Sequence, residues 1–104
     1  MMDRIAKLKE LLTAHPQDSF LQHALALEWV KQGDDTAARA LFEEILHRDQ
    51  NYIGSYYHLA KLLERQSEKD AAISWYELGM VKAKEAGDQH AYQELMNAYE
   101  DLVY

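Results

Sequence analysis

Apolar side chains recur along the chain at the spacing of one face of an α-helix, in stretches separated by helix-breaking residues. The first stretch, residues 3–14, carries isoleucine and leucine on one side and ends before Pro16, because the residue that precedes a proline avoids the helical conformation. The second stretch begins at Asp18 or Ser19, whose side chains can cap a helix, and ends at Gly33. The pattern therefore predicts two amphipathic helices joined by a short turn.

The same succession of apolar faces and breakers continues to the end of the chain, so about six helices are predicted. The connections between them are short, and short connections make consecutive helices pack antiparallel as hairpins. The later helices are predicted to start at Asp34 or Asp35, at residue 53, at Ser67 or Asp70, and at residue 89 after a break at Gly87.

Composition supports an all-α fold. Four glycines and a single proline stand in a chain rich in alanine, leucine, glutamate, lysine and glutamine, the residues that lose least on entering a helix. The length of 104 residues suits one domain, and the sequence has no long alternating run of valine, isoleucine or threonine of the kind that forms strands. We therefore expect a single all-α domain, residues 1–104.

The sequence contains no cysteine, which excludes disulfides and thiolate chemistry and fits a reducing compartment. Its first residues mix charged and apolar side chains and contain no unbroken apolar run of signal-peptide or membrane-spanning length. A cytoplasmic protein is expected.

The formal charge of −7 is unevenly distributed. Residues 18–51 and 87–104 each carry a net charge of −4, residues 52–86 are neutral, and residues 1–17 carry +1. An acidic chain without a stripe of lysine and arginine repels phosphate backbones and anionic lipid surfaces. We therefore expect no nucleic-acid partner and no membrane partner.

Two segments that lie 34 residues apart agree in residue class. KQGDDTAARALFEEIL, residues 31–46, is echoed by RQSEKDAAISWYELGM, residues 65–80, with alanine and aromatic positions in register. A period of 34 residues is that of the tetratricopeptide repeat, and the chain resembles that family. The family's sequence pattern falls on Gln22, Leu25-Ala26, Trp29, Ala38 and Phe42 in one copy and on Tyr56, Leu59-Ala60, Leu63, Ala72 and Tyr76 in the next.

The resemblance implies an antiparallel helix-hairpin solenoid of the tetratricopeptide type, with full repeats at residues 19–52 and 53–86. Residues 1–17 would then form the second half of a truncated repeat, and residues 88–104 would form a C-terminal capping helix.

Members of this family hold peptides on the concave surface formed by the first helix of each hairpin, so the resemblance implies a protein-interaction module. The candidate contacts at the centre of this surface are aromatic and mildly basic within an acidic protein, which suits a ligand with acidic and apolar side chains. The candidate partner-binding residues are Phe20, His23, Leu27, Tyr57, His58, Lys61, Arg65, Gln93 and Asn97.

Catalytic motifs are absent from the sequence, which has no glycine-rich phosphate loop, no HExxH and no Gly-x-Ser-x-Gly. A non-catalytic protein without a cofactor is therefore expected.

Some family members clamp the C-terminal carboxylate of chaperone tails with two lysines, two asparagines and one arginine. None of the matching places here has the clamp's residue, since Leu27 cannot donate a hydrogen bond and Glu94 would repel a carboxylate. The matching places are His23, Leu27, His58, His90 and Glu94.

The same matching suggests a speculative metal site. His23, His58 and His90 would converge, with Glu94 one turn beyond His90, and three imidazoles with a carboxylate suit zinc. The alternative interpretation is that these are ordinary polar residues of the groove whose side chains lie too far apart to share an ion.

A structural function is a second alternative. The last helix has no following neighbour, so part of its apolar face would stay exposed and could serve homo-oligomer assembly. The residues of this candidate patch are Tyr92, Tyr99, Val103 and Tyr104.

Overall fold

The computed structural model describes residues 3–104, and every regular element in that part of the chain is an α-helix. The prediction of an all-α fold with about six helices is confirmed. Residues 1 and 2 of the predicted N-terminal half repeat lie outside the described residues. The helices are α1 (Arg4–Ala14), α2 (Ser19–Lys31), α3 (Asp35–Arg48), α4 (Gly54–Arg65), α5 (Lys69–Glu85) and α6 (Gln89–Val103).

Aspartate side chains fix the start of four of these helices. In each case the carboxylate accepts a hydrogen bond of 2.7–3.0 Å from the backbone N–H three residues later. The bond satisfies one of the N–H groups that have no partner within the helix. The four caps are Asp3, Asp18, Asp34 and Asp88.

Three helices end with a residue in the left-handed backbone conformation, namely Gly33, Ser67 and Gly87, with φ angles of 81°, 61° and 71°. At each end the following residue donates its N–H to the carbonyl oxygen five positions earlier, at 2.9 Å. The prediction that Ser67 or Asp70 starts the fifth helix is therefore wrong. Ser67 closes α4 in the manner of a glycine, and α5 begins at Lys69.

Each helix packs against the next one in the chain, and α4 also contacts α6. α2 reaches α4 through His23, whose Nδ1 lies 2.8 Å from the Oγ of Ser55. α2, α4 and α6 therefore lie side by side, and we call them the inner row; α1, α3 and α5 form the outer row. The molecule is elongated, with extents of 44 × 29 × 21 Å, as expected for stacked hairpins.

The echoed alanine and aromatic positions fill the seams between the two rows. Ala38 and Ala72 have no solvent exposure, and neither have the rings of Phe42 and Tyr76. A small residue at each alanine position lets the outer helix approach the inner one closely, and the ring one turn later fills the space between repeats. The repeated sequence is thus explained by packing, and the residues that face solvent on the inner row are left to differ.

Candidate functional site

A histidine pair lies at the centre of the inner row. The His23 ring of α2 meets the His58 ring of α4 edge to face, with ring centroids 5.6 Å apart. It also contacts the rings of Phe42 and Tyr52, each with a centroid separation of 5.5 Å. The hydrogen bond to Ser55 fixes the remaining freedom of the imidazole, so the ring is held from several sides.

Ser55 is a neighbour of the histidine pair that the sequence interpretation missed. Its side chain is completely buried, although serine is usually a surface residue. The available signal was its position, since Ser55 precedes Leu59 by one helical turn and so lies on the buried face of α4. A polar residue on that face needs a partner from another helix, and the partner is His23.

Both imidazoles are uncharged at neutral pH. Burial, reinforced by the neighbouring His58, lowers the pKa of His23 to about 4. Burial also lowers the pKa of His58, while the Glu94 carboxylate of α6 acts in the opposite direction. The centre of the inner row is therefore a neutral, hydrogen-bonded aromatic floor.

Tyr57 and Lys61 stand beside this floor on α4. The Tyr57 ring is half-buried and meets His58 at right angles, with centroids 5.5 Å apart. The Nζ of Lys61 lies 5.8 Å from the centre of the Tyr57 ring, within reach of a cation–π interaction. Lys61 is also 3.7 Å from Glu64, an ion pair without a close hydrogen bond. The pair presents an aromatic face and a cation together.

Arg65, predicted as a second charge partner, is engaged within the protein. Its Nε and a terminal guanidinium nitrogen donate hydrogen bonds of 3.0 and 2.9 Å to the two carboxylate oxygens of Asp35. This bidentate pairing lowers the pKa of Asp35 and fastens the end of α4 to the start of α3. Arg65 therefore contributes to holding the hairpins together.

The remaining predicted contacts lie toward the two ends of the inner row. Phe20 is 70% exposed at the start of α2, whereas Leu27 is half-buried and packs against the core. On α6, the amide of Gln93 donates a hydrogen bond of 2.9 Å to Asn97, and both side chains are exposed.

The four residues of the speculative metal site are not all brought together. His23 and His58 are in contact, and Glu94 influences the charge of His58, but His90 is exposed. Within residues 3–104 there is no group of three histidine, aspartate or glutamate side chains placed to hold an ion.

The candidate self-association patch on α6 is partly occupied by contacts within the chain. The hydroxyl of Tyr99 donates a hydrogen bond of 3.3 Å to Glu77, and Lys84 lies 5.9 Å from the centre of the Tyr92 ring. Tyr104, by contrast, is 94% exposed.

The helices of the described residues, 3–104, include none with the length and apolar character needed to cross a bilayer.

Comparison with known proteins gives solved structures as relatives. No protein-family model matches the chain, and no curated protein does. The solution structure of a tetratricopeptide repeat domain protein from Salinibacter ruber is 42% identical over 85% of this chain and 89% of its own, with a TM-score of 0.81.

Two further structures agree with this result. A crystal structure of the tetratricopeptide repeat domain protein from Salinibacter ruber is also 42% identical, over 82% of this chain and 94% of its own, with a TM-score of 0.79. A protein from Bordetella parapertussis is 24% identical and covers 98% of this chain and 89% of its own, with a TM-score of 0.85; it shows the shared fold.

Proposed function

Since the chain belongs to the tetratricopeptide-repeat family, we propose that it is a non-catalytic interaction module that binds a segment of another protein across its inner row. The observation that carries the proposal is the Tyr57–Lys61 pair, an aromatic face and a cation on the middle helix of that row. Tyrosine is among the residues that supply most of the binding energy at protein interfaces, and a neighbouring cation favours a partner segment of opposite charge.

Rigidity under the pair supports the same function. The His23 and His58 rings beneath Tyr57 are fixed by ring contacts and by the hydrogen bond to Ser55. A surface that is already ordered loses little conformational entropy when it binds, so more of the contact energy appears as affinity. The exposed amides of Gln93 and Asn97 on α6 can exchange hydrogen bonds with the backbone of an extended segment.

In this proposal the residues of the inner row have distinct roles. Phe20, Leu27 and Tyr57 supply apolar contact, Lys61 attracts an acidic group, and His23 and His58 form the floor. Arg65 acts indirectly by fastening α4 to α3 through Asp35. A reducing compartment such as the cytoplasm is the proposed location, in keeping with the absence of cysteine.

The experiment is partner capture with matched variants. Changing Tyr57 and Lys61 together to alanine should abolish capture of partners from native cells while circular dichroism shows unchanged helix content. The control changes Lys69 and Ser74, both exposed on α5 of the outer row, to alanine and should capture partners normally. Capture that survives the loss of Tyr57 and Lys61 would show that the inner row is not the binding surface.

Homo-oligomer assembly through Tyr92, Tyr99, Val103 and Tyr104 is the alternative function. The exposure of Tyr104 favours it, because a tyrosine that is almost fully exposed is available to a second copy. Sedimentation at several protein concentrations distinguishes the two functions. A chain that stays monomeric at high micromolar concentration excludes the alternative, and a dimer that is lost on changing Val103 to Asp and Tyr104 to Ser supports it.

A further inference from the structure

A pocket of about 230 Å³ opens at one end of the inner row, between the first turn of α1 and one face of α2. Its apolar lining comes from Phe20, Ala24 and Leu27, next to His23, and its charged lining comes from Arg4, Glu28 and Lys31. The volume is below the range of about 300–1,000 Å³ that is typical for whole small-molecule ligands. It is suited to a single side chain.

The three charged groups of this pocket are linked, because Glu28 forms ion pairs with both Lys31 and Arg4. The Glu28 carboxylate lies 3.0 Å from the Nζ of Lys31 and 3.7 Å from the Nε of Arg4. The Glu28 side chain is only 14% exposed, whereas those of Arg4 and Lys31 are 63% and 73% exposed. One anion is covered and two cations reach solvent, so the entrance is locally positive in a protein whose formal charge is −7.

We propose that this pocket binds a bulky apolar side chain of the partner segment, with an aspartate or glutamate next to it in the partner's sequence pairing with Lys31 and Arg4. The inference rests on the proposed function, because it assigns one end of the same inner row to a particular element of the ligand. The apolar lining accepts the anchor, and burying that side chain supplies the driving force. The two cations set which neighbouring residue is tolerated.

The charge count favours a carboxylate over other groups. Two cations and one carboxylate leave a single positive charge at the entrance, which one carboxylate of the partner neutralises. A basic residue beside the anchor would face two like charges. A phosphate, which carries close to two negative charges at neutral pH, would leave one charge uncompensated beside Glu28.

The test uses a phage-displayed library of random dodecapeptides selected on the immobilised full chain, followed by fluorescence polarisation with labelled copies of the enriched peptides. The expected consensus is a bulky apolar residue next to an acidic one. Replacing that acidic residue by its amide should weaken binding about tenfold, and Lys31→Glu should do the same. Phe20→Ala should also weaken binding, and since Phe20 is largely exposed the variant is expected to fold normally.

Lys69→Glu on α5 is the matched control, because it makes the same charge change on an exposed lysine of the outer row. It should leave the affinity unchanged. Some peptides could bind Lys31→Glu and Phe20→Ala as tightly as the unchanged protein, yet lose binding when Tyr57 and Lys61 become alanine. That result would overturn the proposal for the pocket and would support binding across the inner row. A basic or phosphorylation-dependent consensus overturns the pocket as well. Failure to enrich any peptide, or binding indifferent to all of these variants, overturns both proposals.

Discussion

Gln22 on α2 and Tyr56 on α4 stand 34 residues apart, and each donates a hydrogen bond to the carbonyl oxygen of the residue six positions before it. The Gln22 amide reaches Pro16 at 3.3 Å, and the Tyr56 hydroxyl reaches Gln50 at 2.6 Å. Both side chains are buried. Each side chain therefore holds the loop that precedes its own helix against that helix, although glutamine and tyrosine differ in chemistry.

Removing the Tyr56 hydroxyl tests this role. Tyr56→Phe removes the hydrogen bond that the buried Tyr56 hydroxyl donates to the carbonyl oxygen of Gln50, so the free energy of unfolding should fall by about 1 kcal/mol. The measurement is urea denaturation followed by circular dichroism. Tyr57→Phe, at a half-exposed ring one residue later, is the control and should change the stability by less than about 0.5 kcal/mol. Equal denaturation midpoints for the two variants would contradict the assigned role.

Gly79 on α5 marks the closest approach to Tyr56. A Cβ atom at position 79 would lie 2.7 Å from the Cβ of Tyr56, closer than packed atoms allow, and 3.1 Å from a methyl carbon of Leu95, which is a tight contact. Alanine usually stabilises a helix by about 1 kcal/mol relative to glycine, but overpacking a core costs about 1–3 kcal/mol. The clash outweighs the helix propensity, so Gly79→Ala should lower the free energy of unfolding.

Gly54→Ala is the matched control for this change. A Cβ atom there would meet only His23, at an ordinary contact distance of 3.8 Å. Denaturation should show Gly54→Ala as neutral or stabilising and Gly79→Ala as destabilising. If both raise the stability equally, the approach of α5 to α4 is looser than the structure shows.

The backbone conformation at position 67 should favour glycine over the native serine. Its φ angle of 61° is costly for a residue with a side chain, and Gly33 occupies the equivalent place one period earlier. Ser67→Gly is therefore expected to raise the melting temperature, with a gain of about 0.5–1 kcal/mol. The same substitution at Ser74, exposed in the middle of α5, should cost about 0.5 kcal/mol, the difference in helix propensity between serine and glycine. Two changes of the same sign would refute this account of the α4 end.

Sequence periodicity located the six helices of residues 3–104 because each buries one face, and burial imposes regular spacing. It misplaced the start of α5, since serine is a common helix cap and residue preference alone favours that role for Ser67. The comparison with Gly33 carried the better signal, because the backbone conformation at equivalent positions of a repeat is set by packing.

The candidate site was less accessible to sequence reasoning than the fold. His23 and Tyr57 could be placed on the inner row from the repeat register alone. The ion pair between Arg65 and Asp35 could not be predicted from the sequence, because the two residues lie 30 positions apart on different helices. Side-chain pairing over that distance depends on how α4 meets α3, which periodicity does not specify.

The histidine pair should make stability depend on pH. As the pH falls, His23 in the folded chain takes up a proton only near its pKa of about 4, whereas in the unfolded chain it does so near pH 6.5. Protonation of the unfolded state thus favours unfolding, so stability is fully present above about pH 6.5 and falls as the pH drops toward 4. The His23 ring is only half-buried, so after a discount for solvent screening the loss attributable to it is roughly 2–3 kcal/mol, and the lowered pKa of His58 acts in the same direction.

His23→Gln should flatten this dependence. The measurement is the free energy of unfolding at several pH values between 4 and 7, compared with His47→Gln at an exposed site on α3. Glutamine at 23 should reduce the slope, and glutamine at 47 should leave it unchanged. Identical slopes in all three proteins would mean that carboxylates, and not the pair, govern acid stability.

Site-specific photocrosslinking in native cells tests the central claim, that partners bind across the inner row. A photoreactive phenylalanine at position 57 on α4 is compared with one at position 74 on α5, whose native serine is exposed. We predict a covalent adduct with a partner protein from position 57 and none from position 74. Adducts from position 74 alone, or from neither position while partner capture persists, would contradict the claim.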